Sequence, residues 1–173
     1  MERLDRLQLE ADLRANYYRY AEGLDNKDWQ QVRDCFAEEV FLDYGPIVDP
    51  GGSPDQPRPA DDWVATLQRN IGGFDLTRHT ICNHRVEVDG ENVRCTAYLV
   101  ADHIILQDSQ MPIAGPDNIA TVVGEYTNQY RHVGGEWKIF RSRLDIKWSS
   151  GNIALFQQAA ERFLMADVIP ESV

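Results

Sequence analysis

The groups in this chain whose chemistry matters near neutral pH are its histidines and a few well-placed carboxylates, and two histidines, His79 and His103, lie in long runs rich in β-branched residues. Removing a proton from carbon, the first step of an elimination or an isomerisation, needs a base that is largely unprotonated near neutrality yet basic enough to accept the proton. Imidazole meets both demands. A buried carboxylate bonded to the far ring nitrogen would fix the tautomer and stabilise the imidazolium, and Asp25 is a candidate for that task. A positioned general base contributes about 10²–10⁴ in rate, so hydrogen bonds to a developing oxyanion or leaving oxygen must add to it. Tyr20, Tyr44 or His103 could provide them. Taken singly, Asp25 in Leu24-Asp25-Asn26-Lys27-Asp28 reads as a turn residue between two helices, and each tyrosine reads as a packing aromatic.

The elements that must position these groups follow from apolar periodicity. Leu9, Leu13, Tyr17, Tyr20, Ala21 and Leu24 recur at spacings of three and four, the stripe of an amphipathic helix over 4–24, with Gly23 placed as its C-terminal cap. Asp28 followed by Gln31 reads as the N-cap of a second helix carrying Trp29, Val32 and Phe36 inward. Val40–Tyr44 is a short strand. The stretch from Gly45 to Pro59 is dense in proline and glycine, leaves no room for a regular element, and is long enough to be a lid or binding loop. A helix over 60–71 turns Trp63, Val64, Leu67 and Ile71 to one side. Four strand-like runs follow as two hairpins: 77–88 with 92–107 through Asp89-Gly90, and 119–133 with 136–148 through Gly134-Gly135. Between them 108–118 is a loop, and a last helix spans 153–164. Helices first and antiparallel strands afterwards predict a single α+β domain over 1–173, with the helices on one face of a curved, mostly antiparallel sheet.

Charge and composition exclude several function classes. The net charge is −11, with the basic residues scattered, so nucleic acid and anionic membrane surfaces are poor partners. The acidic N-terminus is unlike a signal peptide and no apolar run could span a bilayer, which predicts a cytoplasmic protein. Cys35, Cys82 and Cys95 form no Cys-x-x-Cys pair and read as small buried hydrophobes. Neither a metal cluster nor a phosphate-cradling loop is evident, so no cofactor is implied.

Several groups, in their order and spacing, carry a resemblance: Tyr20-x4-Asp25, Thr77-Arg78-His79-x3-Asn83, Ala101-Asp102-His103, Gly124-x-Tyr126 with Tyr130, Gly135-x-Trp137, and Trp148-x2-Gly151-Asn152. Together they resemble the SnoaL-like branch of the nuclear-transport-factor-two-like superfamily, which includes scytalone dehydratase, a bile-acid dehydratase, a hexachlorocyclohexane dehydrochlorinase and polyketide cyclases. The resemblance covers roughly residues 5 to 165. It implies a cone-shaped fold with a deep cavity, in which His79 is the base, Asp25 orients it and Tyr20 assists. It also implies Tyr44, His103, Asn83, Tyr126 and Trp148 as substrate-binding residues, and a dimer or trimer. Tyr20 and Asp25 stand five apart, whereas scytalone dehydratase carries its tyrosine and aspartate adjacent, and this argues against scytalone itself as substrate.

One geometric condition follows. Val93, Cys95, Ala97, Leu99, Ala101, His103 and Ile105 share a strand face, but a regular hairpin with a two-residue Asp89-Gly90 turn places His79 opposite Val100, on the other face. Both histidines can enter one site only if the strand carries a bulge between His79 and Val93, or a longer turn. Two functions are in competition. One is a cofactor-free lyase or isomerase (dehydratase, dehydrohalogenase or double-bond isomerase) acting on a cyclic, largely apolar, polyketide- or steroid-like molecule. The other is a non-catalytic small-molecule carrier or assembly subunit of the same fold, which needs no dyad.

Overall fold

The computed structural model describes residues 2–108 and 110–168. Helix α1 (Arg3–Asn26) buries the predicted stripe of Leu9, Leu13, Tyr17, Tyr20, Ala21 and Leu24. It does not stop at Gly23 but runs on to Asn26, and Lys27 closes it in the left-handed conformation at φ 58°. The Lys27 N–H bonds the Leu24 carbonyl at 3.3 Å and the Asp28 N–H bonds the Gly23 carbonyl at 2.9 Å, a Schellman closure made without glycine. Gly23 has another use: a Cβ there would come within 2.8 Å of Val32 Cγ2 in α2 (Trp29–Asp34), so the two helices pack at backbone distance. As the Asp28/Gln31 pattern predicts, the Asp28 carboxylate caps α2 by accepting from the Gln31 N–H at 3.0 Å.

Strand β1 (Phe36–Asp43) begins four residues before the predicted start. The proline-rich stretch that follows holds two short regular pieces the composition had argued against, a single helical turn α3 (Gly45–Val48) and a two-residue strand β2 (Arg58–Pro59). Pro46 is tolerated because it lies in the first turn, where its missing N–H would be unpaired anyway. A 2.8 Å ion pair between Asp49 and Arg58 ties the loop across its base. Helix α4 (Ala60–Ile71) then buries Trp63, Val64, Leu67 and Ile71.

Strands β3 (Leu76–Asp89), β4 (Asn92–Ile104), β5 (Ile119–Val133) and β6 (Glu136–Gly151) complete an open sheet of order β2-β1-β6-β5-β4-β3, and α5 (Leu155–Val168) follows. All neighbouring strands are antiparallel except β1 and β6. Register shifts in β3–β4 and β5–β6 bend the sheet over the helices, an α+β architecture. Among the described residues no helix is long and apolar enough to cross a membrane.

The β3–β4 register decides where His79 points. The turn is Gly90-Glu91, with Asp89 opposite Asn92, one residue later than the Asp89-Gly90 turn, and this leaves the facing parity unchanged. A bulge between Cys82 and Arg85, where Asn83 takes φ 53°, then reverses it. His79 now lies opposite Ala101 and Thr77 opposite His103, so all three polar side chains share the inner face. The outer face holds Cys82 opposite Tyr98, so this cysteine is exposed and not buried as its type suggests; Cys35 and Cys95 are buried.

Candidate active site

Asp25 occupies the last turn of α1, where the helix dipole disfavours a negative charge. Donors from β3 compensate. Thr77 Oγ1 donates to Asp25 Oδ1 at 3.0 Å, the His79 backbone N–H reaches Oδ1 and Oδ2 at 3.1 and 3.0 Å, and His79 Nδ1 lies 2.7 Å from Oδ1. A carboxylate can only accept, so Nδ1 carries the imidazole proton and Nε2 keeps its lone pair. Burial works against the Asp25 charge, but the hydrogen bonds from His79 and Thr77 outweigh it and hold the carboxyl below its ordinary range.

His103 stands beside this pair, its ring centroid 5.4 Å from that of His79 and the two planes near perpendicular. Phe74 and Phe156 press on it at centroid distances of 5.2 and 4.7 Å. Its Nδ1 donates to the Ala120 carbonyl at 3.3 Å, which leaves Nε2 as an acceptor. Burial, reinforced by the neighbouring His79, drives the His103 pKa down to about 3, so this ring stays neutral.

The tyrosines form a second group. Tyr20 from α1, Tyr44 at the end of β1 and Tyr126 from β5 are buried together, with ring centroids 6.1 Å apart for Tyr20–Tyr126 and 6.2 Å for Tyr44–Tyr126. The Tyr44 hydroxyl lies 2.8 Å from Ser142 Oγ, which in turn donates to Asn128 Oδ1 at 2.6 Å. Ser142 has one proton and spends it on Asn128, so Tyr44 is the donor to Ser142. Burial pushes Tyr44 up to about 12, and burial with the neighbouring hydroxyls lifts Tyr20 and Tyr126 well above their usual value. Tyr126 lies opposite Ala97 and His79 opposite Ala101. The two rows are therefore four residues apart along β4, about 13 Å at a strand rise of about 3.3 Å per residue.

A family model described as a SnoaL-like domain matches residues 5–143. The chain belongs to the SnoaL-like family. It is similar to the scytalone dehydratase-like protein claB of Passalora fulva, 26% identical over 149 residues, 80% of this chain and 85% of that protein. The scytalone dehydratase of Colletotrichum orbiculare is also 26% identical, over 143 residues, 79% of this chain and 72% of the relative. Among solved structures, the hexachlorocyclohexane dehydrochlorinase LinA-type3 from Novosphingobium barchaimii LL02 shares the fold, with a TM-score of 0.65 at 15% identity over 87% of this chain and 94% of that one.

Within this SnoaL-like protein, then, His79, Asp25 and His103 come together at one end of the inner sheet face, and Tyr20, Tyr44 and Tyr126 at another. Asn83 and Trp148 join neither group. Asn83 is exposed at the bulge because its left-handed backbone turns it away, and Trp148, 59% exposed, lies opposite Val123 on the outer face. Two surface concavities also lie apart from the dyad, one lined by Glu87, Arg94 and Phe140 among others and one by Gln107, Met111, Ile113 and Asn118 among others. Sequence reasoning missed Thr77, Lys27, Ser142 and Asn128 as hydrogen-bonding partners. Thr77 alone left a signal, since it stands two residues before His79 and so shares its strand face.

Proposed function

We propose that this SnoaL-like protein is a cofactor-free lyase of the dehydratase type, acting on a cyclic, largely apolar small molecule. His79 Nε2 takes a proton from carbon. The released electron pair forms the double bond, the carbon–oxygen bond breaks, and the imidazolium returns the proton to the departing oxygen as water. Asp25 holds the Nδ1–H tautomer and balances the imidazolium charge. His103, kept neutral, accepts a hydrogen bond from a substrate hydroxyl at Nε2. Returning the proton to a second carbon would make the same site an isomerase.

The observation that carries this reading is the buried 2.7 Å contact between Asp25 and His79 Nδ1, with the carboxylate anchored by two further donors. The dehydratase names of the relatives support the lyase class. The test is proton exchange into deuterated water, together with elimination, over a panel of hydroxylated cyclic ketones. Wild type is expected to turn over at least one member, and His79→Ala and Asp25→Asn to lose that turnover. Equal turnover by wild type and both variants overturns the dyad. Tight binding of panel members with no reaction replaces the reading with that of a carrier.

A further inference from the structure

Lys27 and Thr77 form a chain of donors that ends on the dyad. Lys27 Nζ lies 3.1 Å from Thr77 Oγ1 and 3.4 Å from the Leu24 carbonyl. Thr77 Oγ1 lies 3.0 Å from Asp25 Oδ1, the same oxygen that accepts from His79 Nδ1. An ammonium has donors only and a carboxylate acceptors only, so the threonine hydroxyl between them has a single orientation open to it: it accepts from Lys27 and donates to Asp25. The backbone explains how the ammonium gets there. Lys27 adopts φ 58° where the helix ends, which folds its side chain back over the last turn of α1, and a cation there is favoured by the helix dipole that disfavours Asp25. Thr77 lies two residues before His79 on the same inner face and directly opposite His103, so the chain enters the site from the strand that carries the base.

We infer that Lys27 and Thr77 are positioning residues for the dyad: the ammonium fixes the direction of the Thr77 hydroxyl, and that hydroxyl holds the Asp25 carboxylate at the angle that keeps the proton on His79 Nδ1. The inference rests on the dyad reading above. It adds that the His79 backbone N–H, which reaches both carboxylate oxygens, is not the whole anchor: the Thr77 hydroxyl holds Oδ1, the oxygen that faces His79 Nδ1. Neither residue touches the reacting atoms.

The test is made on the free, full-length protein, so it does not depend on finding a substrate. The tautomer of His79 is read from its imidazole ¹⁵N shifts at one neutral pH, with His132, exposed near the end of β5, as internal reference and circular dichroism as the check on folding. Wild type is expected to show Nδ1–H as the dominant form. Thr77→Val and Lys27→Met, both close in shape to the originals, are expected to give a mixture of tautomers, whereas Thr77→Ser is expected to retain the wild-type pattern. Lys27→Gly separates the two uses of the lysine: glycine suits the left-handed backbone but lacks the ammonium, so it is expected to behave as Lys27→Met does. If Thr77→Val and Lys27→Met keep the wild-type tautomer while Asp25→Asn loses it, the positioning role is overturned and the dyad stands. If Asp25→Asn also leaves the tautomer unchanged, the dyad reading itself has failed. If Thr77→Ser is as disturbed as Thr77→Val, the hydroxyl is not what acts and the inference is again overturned. Where a substrate is in hand, Thr77→Val is expected to lower kcat about tenfold with KM within about twofold, the pattern of lost orientation and not of lost binding.

Discussion

The two polar groups on the inner face differ in how they handle charge. Around Asp25 three donors from β3 converge on a carboxylate, so burial does not neutralise it. Around Tyr44 the hydrogen-bonding partners are a serine hydroxyl and an amide, both neutral; the buried Asp49 that also acts on Tyr44 is already paired with Arg58, and burial pushes all three tyrosines away from ionisation. The first region can receive a proton and survive the positive charge that results. The second can only offer or accept hydrogen bonds. On the proposed reading, a carboxylate-backed imidazole at one end and neutral hydroxyls at the other suit the removal of a proton from one part of a ring system while an oxygen is held on another.

The largest expected effect comes from removing the difference between the regions. Asp25→Asn keeps the shape but turns an acceptor into a group that can also donate, freeing His79 to adopt the wrong tautomer. Turnover is expected to fall about 10²–10⁴-fold. Tyr20→Phe, at the neutral end, is expected to cost about tenfold, the worth of one hydrogen bond. Comparing the two rates on one substrate tests the division of labour, and a Tyr20→Phe loss equal to that of Asp25→Asn breaks it.

Next in size is the pH dependence of stability. His103 is held neutral down to about pH 3, against about 6.5 in an unfolded chain. A depressed pKa means the unfolded state binds the proton first, so the stabilisation is complete above pH 6.5 and is lost as pH falls from there toward 3. The loss is expected to be on the order of a few kcal/mol. Asp25, also depressed, gives the same sign in a lower window: its contribution is present above its unfolded pKa near 4 and is lost as pH falls further. Urea denaturation across pH 3 to 7 is expected to slope in wild type and to become shallower between 6.5 and 4 in His103→Gln, the slope that remains belonging to His84, which burial also holds below its ordinary value, while Asp25→Asn changes only the most acidic part. A flat wild-type profile above pH 4 contradicts the neutral, buried His103.

These two groups also differ in how far the sequence reveals them. Periodicity located α1, α2, α4 and both hairpins, because burial of one face imposes spacings that survive in the chain. The alternation that puts His103 with Leu99 and Ala101 was legible for the same reason, and the conflict with His79 required the bulge found at Asn83. The pairing of Asp25 with His79 was not legible from the residues alone: they are 54 positions apart, and Asp25 looks like any aspartate in a turn. Lys27 was hidden because a lysine seldom ends a helix in the left-handed conformation, and Ser142 and Asn128 because their function is visible only once β5 and β6 are paired. The short pieces α3 and β2 escaped because proline and glycine content reports what a segment avoids, and tertiary contacts such as the Asp49–Arg58 pair decide the rest.

A smaller effect probes the neutral end on its own. Tyr44→Phe removes the donor to Ser142 and leaves that hydroxyl one partner short in a buried setting, which is expected to cost about 1–2 kcal/mol of stability in urea titration. The value should be insensitive to pH between 4 and 8, since no member of the Tyr44–Ser142–Asn128 chain changes charge there. A pH-dependent cost would show that this end, too, communicates with an ionising group.

The smallest effect on the fold lies outside both regions. Val100, Val123 and Trp148 sit side by side across β4, β5 and β6 on the outer face, joined by Tyr98, and Trp148 is the most exposed of them. We propose that this apolar row is where copies of the chain meet, since Tyr98, Val100 and Trp148 form an exposed apolar strip on a sheet face that the helices leave uncovered. Trp148→Glu is then expected to change monomer stability by no more than about 0.5 kcal/mol, as an exposed substitution should. Light scattering after size exclusion is expected to show wild type as a dimer or trimer and the variant shifted toward monomer. A wild type that is monomeric at every concentration removes this face from any assembly and leaves Trp148 as an exposed aromatic without a partner.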